Sequence, residues 1–499
     1  MKVIALYLPQ FHKIAENDEW WGEGYTEWTA VKAGEPCFEG HYQPHIPLHG
    51  NYYNLLDKNV MRWQTDLMKK YNVYGMCFYH YYFGNGRRVL EKPAENLLEW
   101  GDIDMPFCFM WANETWARSW SKVLEKVEWN NLREPQKDVT DNDGILIKQE
   151  YGDEDTWRDH FEYLIPFFKD RRYIKIDNQP VFMIYEPKDI CCMENMKSKW
   201  NEWAKERGFE KIYFIGVGLE CKNLDARLQH EPKYSNLLMP KKKSEYTDIC
   251  DQIITNAFLA EDECYFCGNP GYDDTPRRGA LGNVFSHSTP EQFYRQMKAL
   301  MHLSEKKGNE FIFVNAWNEW GEGMHLEPDE KYQYQYLEAV KNALRDFNEF
   351  GEEDKAELDT IVDKGLIEQV RLYKKYYSKT EFICNILEQL LNLNENGESI
   401  GYLLRKNGYE RIAIYGLGRI GKHVIAELNN SDVQIIYGVD QNAQSLNFSF
   451  PLYTIDDLLP QVDLILVTIN DDKIYTKLCE KYEYPVVMIT DFLKRGVSF

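Results

Sequence analysis

The sequence predicts an α/β protein made of a (β/α)8 TIM-like barrel followed by a small Rossmann-like α/β domain. Two observations favour the barrel. Apolar runs of strand length alternate with helical stretches through the first 345 residues, and most of these runs are continuously apolar. Continuous apolar runs indicate parallel strands that are buried on both faces. A glycine-rich turn between a strand and a helix near residue 416 favours the second domain.

Six short apolar runs give the clearest strand predictions. They are Val3–Leu8, Val73–Tyr81, Phe107–Trp111, Val181–Tyr185, Ile212–Val217 and Phe311–Ala316. The helical stretches expected between and after them are Asp57–Tyr71, Trp157–Phe168, Met193–Arg207, Pro290–Lys307 and Tyr332–Phe347. A closed barrel of this type needs eight strands, so two more are expected between Leu219 and Tyr272.

Composition divides the chain into three segments. All fourteen tryptophans lie before residue 321, and nine of them lie before residue 130. The barrel is therefore predicted to span residues 1–346. A charged segment with helical periodicity and a leucine stripe predicts a helical connector over residues 347–406. Short β-rich runs separated by helices predict the Rossmann-like domain over residues 407–499.

The charge balance bears on the class of partner. The chain has 58 basic and 80 acidic side chains, which give a formal net charge of −22. Such a chain is repelled by phosphate backbones and by anionic lipid surfaces, so no nucleic-acid partner is expected. A mean hydropathy of −0.57 with 28% charged residues argues against a polytopic membrane protein, and no transmembrane segment is predicted.

The amino terminus and the cysteines bear on the compartment. The apolar run after Met1 is short and lacks a small-residue cleavage site, so no export is expected. Eleven scattered cysteines suit free thiols in a reducing compartment, which predicts a cytoplasmic location. The spacing Cys264-x-x-Cys267 has no second ligand pair near it, so no metal is predicted.

Aromatic residues mixed with carboxylates and amides follow four of the predicted strands. A barrel carries its chemistry at the carboxyl ends of its strands. Sugar rings stack on aromatic side chains, and their hydroxyls take hydrogen bonds from carboxylates and amides. This mixture predicts a polysaccharide or oligosaccharide ligand. The alternative is that the tryptophans belong to the core.

The most specific signal for catalysis is the segment from Asn315 to Gly323, which contains Glu319 and Glu322. Two carboxylates three residues apart on a glycine-flanked turn can point into one cleft. Glycosidic cleavage needs such a pair, with one protonated carboxyl as acid and the other as base or nucleophile. The alternative is a turn whose glutamates cap a helix or face solvent.

The first 345 residues or so resemble the WbsX-type proteins of bacterial surface-polysaccharide clusters. Those proteins are often called glycosyltransferases, and they share a glycosidase-like barrel with the endo-α-mannosidases. The motifs that carry the resemblance are Tyr7-Leu8-Pro9-Gln10-Phe11-His12, Glu19-Trp20-Trp21-Gly22, Thr26-Glu27-Trp28, His41-Tyr42-Gln43-Pro44-His45, Trp111-Ala112-Asn113-Glu114-Thr115-Trp116, Thr275-Pro276-Arg277-Arg278 and Trp317-Asn318-Glu319-Trp320-Gly321-Glu322-Gly323.

The resemblance to the endo-α-mannosidases implies a role for each glutamate. Glu319 would deprotonate the 2-hydroxyl of a sugar, which then attacks the anomeric carbon, and Glu322 would serve as acid and then as base. The implied reaction retains configuration through a 1,2-anhydro sugar. It requires a 2-hydroxyl trans to the leaving group, as in α-mannose or α-rhamnose.

Further residues are predicted to contact substrate. They are Trp20, Trp21, Trp28, Tyr42, Tyr79, His80, Trp111, Asn113, Glu114, Trp116, Arg277, Trp317 and Glu327. No cofactor is expected for the barrel.

The carboxy-terminal segment predicts a nucleotide site. A strand ending at Tyr415 runs into Gly416, Gly418 and Gly421, and a second strand ends at Asp440. In a dinucleotide fold such glycines admit a pyrophosphate and the acid binds a ribose. The segment resembles the small Rossmann-like modules of sugar-modifying enzymes, so a nucleotide or nucleotide sugar is one expected ligand. The alternative is that the glycines only permit tight packing.

These observations lead to three hypotheses for function. The first is a carbohydrate-active enzyme that cleaves or transfers glycosyl units of a bacterial surface polysaccharide or its lipid-linked precursor. The second is a nucleotide-sugar-dependent glycosyltransferase, although the nearest Asp-x-Asp element, at Asp102, precedes a strand. The third is a glycan-binding protein without turnover.

Overall fold

A closed barrel of eight parallel strands forms the amino-terminal part of the computed structural model. The model describes residues 1–117, 145–218, 223–232, 243–260, 263–429, 431–443 and 446–496. The barrel strands are β1 (Lys2–Tyr7), β2 (Val73–Tyr82), β3 (Phe107–Trp111), β4 (Gln179–Ile184), β5 (Tyr213–Val217), β6 (Ala226–Gln229), β7 (Cys264–Gly268) and β8 (Phe311–Val314). Each strand pairs in parallel with the next, and β8 pairs with β1. The predicted TIM-like barrel is confirmed.

The strands are hydrophobic throughout because both of their faces are buried. In β1, Val3, Ile4, Ala5, Leu6 and Tyr7 are all fully buried. The inner faces fill the barrel, and the outer faces pack against helices. This double burial explains the continuous apolar runs in the sequence.

The five predicted helices lie close to observed helices, and the described residues of the barrel unit form five further helices that were not predicted. Those of the barrel unit are Ala15–Trp21, Glu27–Lys32, Lys58–Tyr71, Lys92–Glu99, Glu154–Lys169, Met193–Glu206, Tyr246–Leu259, Thr275–Arg278, Pro290–Lys306 and Gln335–Asp346. Asp57 caps the helix that leads to β2, because its carboxylate accepts from the backbone N–H of Asn59 at 2.8 Å. Within the described residues, no helix separates β5 from β6.

Short strands and single-turn helices shape the loops around the barrel. The short strands are Arg88–Val89, Trp116–Ala117, Ile145–Ile147, Lys175–Ile176, Lys243–Glu245, Val284–Ser286, Asn318–Glu319 and Met324–His325. The single-turn helices are Leu48–Gly50, Gly84–Gly86, Pro187–Asp189, Gly279–Leu281, Trp320–Glu322 and Phe347–Glu349. The last two short strands pair as an antiparallel hairpin directly after β8.

A second compact unit begins at Ile367, and the barrel unit ends at Leu366. The second unit contains a five-stranded parallel sheet, with the order Leu452–Tyr453, Gln434–Val439, Arg411–Tyr415, Leu464–Val467 and Val486–Met488. The remaining helices are Glu352–Glu395, Ile400–Lys406, Arg419–Leu428, Asp472–Lys481 and Ile489–Gly496. The boundary between the two units lies within the first of these helices.

Two further findings bear on the predictions about membrane spans and cysteines. In the part of the chain that the structure describes, no helix combines the length and the apolar character needed to cross a bilayer. The ten cysteines within that part are all free thiols.

Gly75 provides a test of the packing between β2 and its neighbours. A Cβ atom at this position would lie 2.8 Å from the backbone oxygen of Pro106 and 3.0 Å from Ile174 Cδ1. Backbone cannot move aside cheaply, so Gly75→Ala should lower the free energy of unfolding of the barrel unit by about 1–3 kcal/mol. Thermal and urea unfolding would measure the change. Gly101→Ala is the control, because a Cβ there meets nothing within 4 Å; equal effects of the two variants would contradict the packing.

Candidate active site

A cavity of about 570 Å³ lies at the carboxyl ends of the barrel strands. Its walls include residues that directly follow five of the strands: Leu8 after β1, Ala112 after β3, Tyr185 after β4, His230 after β6 and Asn315 after β8. This is the face on which barrel enzymes place their chemistry. Its volume falls within the range of roughly 300–1,000 Å³ that is usual for ligand sites.

Glu319 and Glu322 both face this cavity and share one guanidinium group. Arg277 Nη2 donates to Glu319 Oε2 at 3.0 Å, and Nη1 of the same side chain donates to Glu322. A third carboxylate, that of Glu27, accepts from Arg277 Nε at 2.7 Å. The guanidinium therefore binds three carboxylates that come from two segments, the helix after β1 and the hairpin after β8. The two predicted catalytic side chains lie side by side on neighbouring nitrogens of the same group.

The hairpin after β8 positions the pair. The side chain of Asn318 holds the hairpin against β1, because its Oδ1 accepts from Leu8 N at 2.8 Å and its Nδ2 donates to Leu8 O at 3.0 Å. Gly323 ends the turn in the left-handed region, with φ of 63°. Gly321 cannot carry a side chain, because a Cβ there would collide with the Glu27 carboxylate.

The electrostatics of the pair favour a retained proton. Burial raises the pKa of Glu319 to about 8, with Glu322 and Glu27 adding to the rise and Arg277 opposing it. Burial also raises the pKa of Glu322, again against the effect of Arg277. Three carboxylates face one guanidinium, so full ionisation would leave uncompensated negative charge in a buried site. The pair therefore holds a proton near neutral pH.

Sequence reasoning missed Glu27, and it did not foresee that Arg277 binds the two predicted acids. Glu27 is 1% exposed and belongs to the helix that follows β1. Its only signal was its place in the motif Thr26-Glu27-Trp28. Arg277 was predicted to hold a sugar, and three of its five N–H donors bond to the three carboxylates. Its position indicates that it orders the acids.

Seven of the predicted site residues line the cavity together. They are Trp21, Tyr79, Glu114, Trp116, Arg277, Glu319 and Glu322. Tyr25, Tyr81, Tyr185 and Tyr272, which were not predicted, add four further tyrosine rings to the wall. The structure thus brings the acids and a set of aromatic side chains into one space.

Six other predicted contacts lie in the core and require correction. Trp28, His80, Trp111, Asn113, Trp317 and Glu327 are each at most 5% exposed. None of them lines the cavity. A side chain enclosed on all sides cannot stack on a sugar, so these residues support the site from beneath it. For the tryptophans among them, the alternative reading as core residues fits the structure.

Glu327 shows what this support consists of. Its carboxylate accepts hydrogen bonds from Tyr53 Oη, Gln64 Nε2, Trp317 Nε1 and Trp320 Nε1, at 2.7–2.9 Å. Burial raises the pKa of Glu327 to about 7 in spite of these four donors. The carboxylate therefore ties the hairpin to the helix Lys58–Tyr71 and to Tyr53.

His80, Asn113 and Trp111 have equally well-defined structural partners. His80 Nε2 lies 2.8 Å from His160 Nε2, and burial lowers the pKa of His80 to about 3. Asn113 Nδ2 donates to the backbone oxygen of Glu186 at 2.8 Å, and Trp111 Nε1 donates to that of Tyr82 at 2.9 Å.

Two more predicted contacts lie at other places. The ring of Trp20 packs edge-on against that of Trp116, with 5.7 Å between centroids, so it backs the wall of the cavity. Tyr42 lines a separate, smaller cavity.

Two asparagines in the cavity wall have unsatisfied amide groups. Asn17 is 0% exposed, and neither its Oδ1 nor its Nδ2 has a hydrogen-bond partner within the described residues. Asn315 Oδ1 also has none, although its Nδ2 donates to Glu231 O at 2.7 Å. Buried amide groups are normally paired, and each exception needs an explanation. Hydroxyl groups of a bound sugar would supply the missing partners. No pattern in the sequence singled out Asn17.

In the second unit, the predicted glycine turn has defined internal contacts. Leu417 N donates to Asp440 Oδ2 at 2.8 Å, and Asn442 N donates to Oδ1 at 2.8 Å. Gly416 has φ of 93°, and a Cβ on Gly421 would collide with the oxygen of Gly416. Gly418 precedes the helix Arg419–Leu428 and is exposed. These contacts account for Gly416, Gly421 and Asp440 as parts of the turn itself.

Comparison with known proteins places the similarity in the barrel. A family model described as "Glycosyltransferase WbsX" matches residues 3–340. A curated protein named "Uncharacterized protein WxcX", from Xanthomonas campestris pv. campestris, is 31% identical over 362 residues, which cover 68% of this chain and 49% of that protein. A protein of the same name from a second strain matches equally. The chain spans about half the length of these curated relatives.

Solved structures show a weaker likeness. A GH99 endo-α-mannosidase from Bacteroides thetaiotaomicron aligns with a TM-score of 0.42 and 15% identity, covering 70% of this chain and 97% of that one. A structure described as "Glycoside hydrolase-like protein" aligns with a TM-score of 0.42 and 13% identity, covering 68% of this chain and 93% of that one.

The unsatisfied amide of Asn17 can be tested through stability. Asn17→Leu replaces two unpaired buried polar groups with apolar ones of similar volume, so the free energy of unfolding should rise by about 1 kcal/mol or more. Asn113→Leu is the matched control, because Asn113 is also 0% exposed but fully hydrogen-bonded. It should be strongly destabilised. Urea unfolding of both variants decides the point, and destabilisation of Asn17→Leu would mean that this amide is paired in the free protein.

Proposed function

Because the chain belongs to the WbsX glycosyltransferase family, we propose that it is a carbohydrate-active enzyme that cleaves or transfers glycosyl units of a bacterial surface polysaccharide or its precursor. One observation carries the proposal. Glu319 and Glu322 share the guanidinium of Arg277 at the wall of an aromatic-lined cavity, at the carboxyl ends of the barrel strands. A pair of carboxyl groups is what most glycosidases use.

The proposed reaction uses the two carboxyl groups in opposite senses. Glu319 takes the proton of the 2-hydroxyl, whose oxygen attacks the anomeric carbon, and Glu322 gives its proton to the departing glycosidic oxygen. Glu322 then removes a proton from water or from an acceptor hydroxyl, which opens the 1,2-anhydro sugar, and Glu319 returns its proton to the 2-oxygen. The product keeps the original configuration, and the reacting sugar is an α-mannose- or rhamnose-like unit.

The charge around the pair supports the presence of one acid and one base in the site. Burial raises both pKa values, while Arg277 stabilises the ionised form of either carboxyl group. A pair that shares one proton contains an acid and a base at the same time, which is the state that the reaction needs. Glu322 has the more accessible side chain, 27% exposed against 8% for Glu319, which suits exchange with water or an acceptor.

The wall of the cavity supports a sugar ligand. Trp21 and Trp116 offer apolar ring surface, and Asn17 and Asn315 offer unpaired amide groups. Aromatic faces bind the C–H surfaces of a sugar ring, and amides bind its hydroxyls.

A second candidate function is transfer from a nucleotide sugar, which the description of the matching family favours. We propose that the second unit is Rossmann-like, with a glycine turn between its first strand and the helix Arg419–Leu428, and that it binds the nucleotide or nucleotide sugar there. Release of a nucleoside diphosphate separates this function from hydrolysis, which releases none. A glycan-binding protein without turnover would do neither.

Glu322→Gln tests the chemistry directly. The wild type should produce new reducing ends from the source organism's surface polysaccharide or its lipid-linked precursor without added nucleotide sugar. The variant should lose about 10²–10⁴-fold in rate, because its amide cannot donate the proton, and should still bind. Glu352→Gln, on a side chain 91% exposed, should match the wild type. If the polysaccharide binds but no reducing ends appear, the nucleotide-sugar or the binding function replaces the proposal.

The pH dependence of kcat/KM should show an alkaline fall near pH 8. The raised pKa of about 8 means that the carboxyl pair keeps its last proton until that pH and has no acid to offer above it. Rates measured from pH 5 to pH 10 would locate this limb, which belongs to the coupled pair. Asp102→Asn changes a surface carboxyl and should leave the profile unmoved. A rate that keeps rising above pH 9 would contradict a carboxyl acid.

A further inference from the structure

A second cavity of about 190 Å³ lies in the barrel unit beside the active-site cavity. We call it the His45 cavity; its walls come mainly from residues 38–45, 270–273, 284–288 and 323–332. Tyr272 lines both cavities. The volume lies below the roughly 300–1,000 Å³ of sites for drug-sized ligands, so it suits a single ring.

The hairpin that carries the two glutamates contributes residues to the lining of both cavities. Glu322 faces the active-site cavity, while the next residue, Gly323, lines the His45 cavity together with His325. Asp273 also lines the His45 cavity, and its backbone N–H donates a hydrogen bond to the backbone carbonyl oxygen of Glu322 at 2.7 Å. A ring bound in the His45 cavity would therefore lie against the turn that positions Glu322.

The histidines of this cavity have defined tautomers. His325 Nδ1 lies 3.0 Å from the backbone oxygen of Glu327, which can only accept, so Nδ1 carries the proton. Nε2 of His325 then accepts from His45 Nδ1 at 3.2 Å. Burial lowers the pKa of His45 to about 3, with His325 contributing, so the ring is neutral and its Nε2 is a bare acceptor. His45 can take a hydrogen bond from a hydroxyl group.

Ser286 adds a hydroxyl that lacks a partner. Its side chain is 7% exposed and lines the cavity, and its Oγ makes no hydrogen bond within the described residues. A buried hydroxyl left unpaired destabilises the folded protein. A ligand with hydroxyl groups would satisfy it.

Aromatic rings and two ammonium groups complete the walls. Tyr42, predicted from the sequence to contact sugar, lies here, and Lys331 Nζ is 4.5 Å from the centre of its ring. Lys243 Nζ is 4.4 Å from the ring centre of Phe38. Ring surface combined with a neutral acceptor, a free hydroxyl and ammonium donors matches a polyhydroxylated ring.

We propose that the His45 cavity is a second sugar-binding site, which takes one further ring of the glycan whose glycosidic bond is cleaved or transferred beside Glu322. The inference rests on the proposed function, because it presupposes a glycan in the neighbouring cavity. A ring held here would set the length of glycan that is recognised.

Ser286→Ala tests the site by removing one hydroxyl without adding bulk. The probes are oligosaccharides released by mild acid from the source organism's surface polysaccharide, and the methyl glycosides of its component sugars. The dissociation constant of the oligosaccharides, measured by calorimetry in the Glu322→Gln background, should rise about 3–10-fold. The methyl glycosides occupy one cavity at a time, so those that bind beside Glu322 should bind as before. Tyr42→Ala should weaken oligosaccharide binding further.

Ser244→Ala is the matched control. Ser244 lies on the paired strand Lys243–Glu245, is also 7% exposed and has an unpartnered Oγ, but does not line the cavity. It should leave binding unchanged. Oligosaccharide binding that Ser286→Ala and Tyr42→Ala leave unaltered, or that Ser244→Ala weakens equally, overturns the second site alone. If no oligosaccharide binds to protein with an intact His45 cavity, the proposed function fails and this site fails with it.

Discussion

The candidate site depends on one charged side chain, the guanidinium of Arg277. It holds Glu27 from the segment after β1 and both Glu319 and Glu322 from the hairpin after β8. Removing one partner from a buried charge cluster typically costs several kcal/mol, because the remaining charges lose their compensation. Without Arg277, three carboxylates would face each other in a buried space. The loops around the cavity are therefore held in place by the same contacts that set the protonation of the acids.

The segment that carries Arg277 is itself anchored by Asp273. Asp273 Oδ2 lies 2.7 Å from His41 Nε2 and accepts from Gln43 Nε2 at 2.6 Å, and its Oδ1 accepts from Thr275 N at 3.0 Å. Burial alone would raise the pKa of Asp273, but its hydrogen bonds with His41 and with the Thr275 hydroxyl hold that pKa below its usual value. The motif around His41 does not contact the acids directly. It positions the loop that carries Arg277, which binds both of them.

The sequence predicted the barrel well where strands were apolar on both faces, and poorly elsewhere. β6 reads Ala-Arg-Leu-Gln, in which charged and polar residues interrupt the apolar pattern. β7 reads Cys-Tyr-Phe-Cys-Gly, a short buried stretch that was not assigned as a strand, and only the need for eight strands pointed to either. The glutamate pair was identifiable from its spacing on a glycine-flanked turn. The sequence could not distinguish aromatic residues that line the cavity from those in the core. Trp28 lies in the core and Trp21 in the cavity wall, although both are tryptophans in the same segment after β1, and only the backbone path determines which of them faces the cavity.

Several features of the cavity oppose stability and are consistent with a role in binding a ligand. Glu319 is buried in an environment that raises its pKa, which is unfavourable for folding wherever the unfolded chain would ionise it. Asn17 and Asn315 have amide atoms without hydrogen-bond partners. Position 321 is a glycine, which leaves room for the Glu27 carboxylate to lie against the turn. A fold under selection for stability alone would replace these groups with paired or apolar ones. The buried acid pair, with its raised pKa, is therefore an argument for function at this cavity that does not depend on any likeness to other proteins.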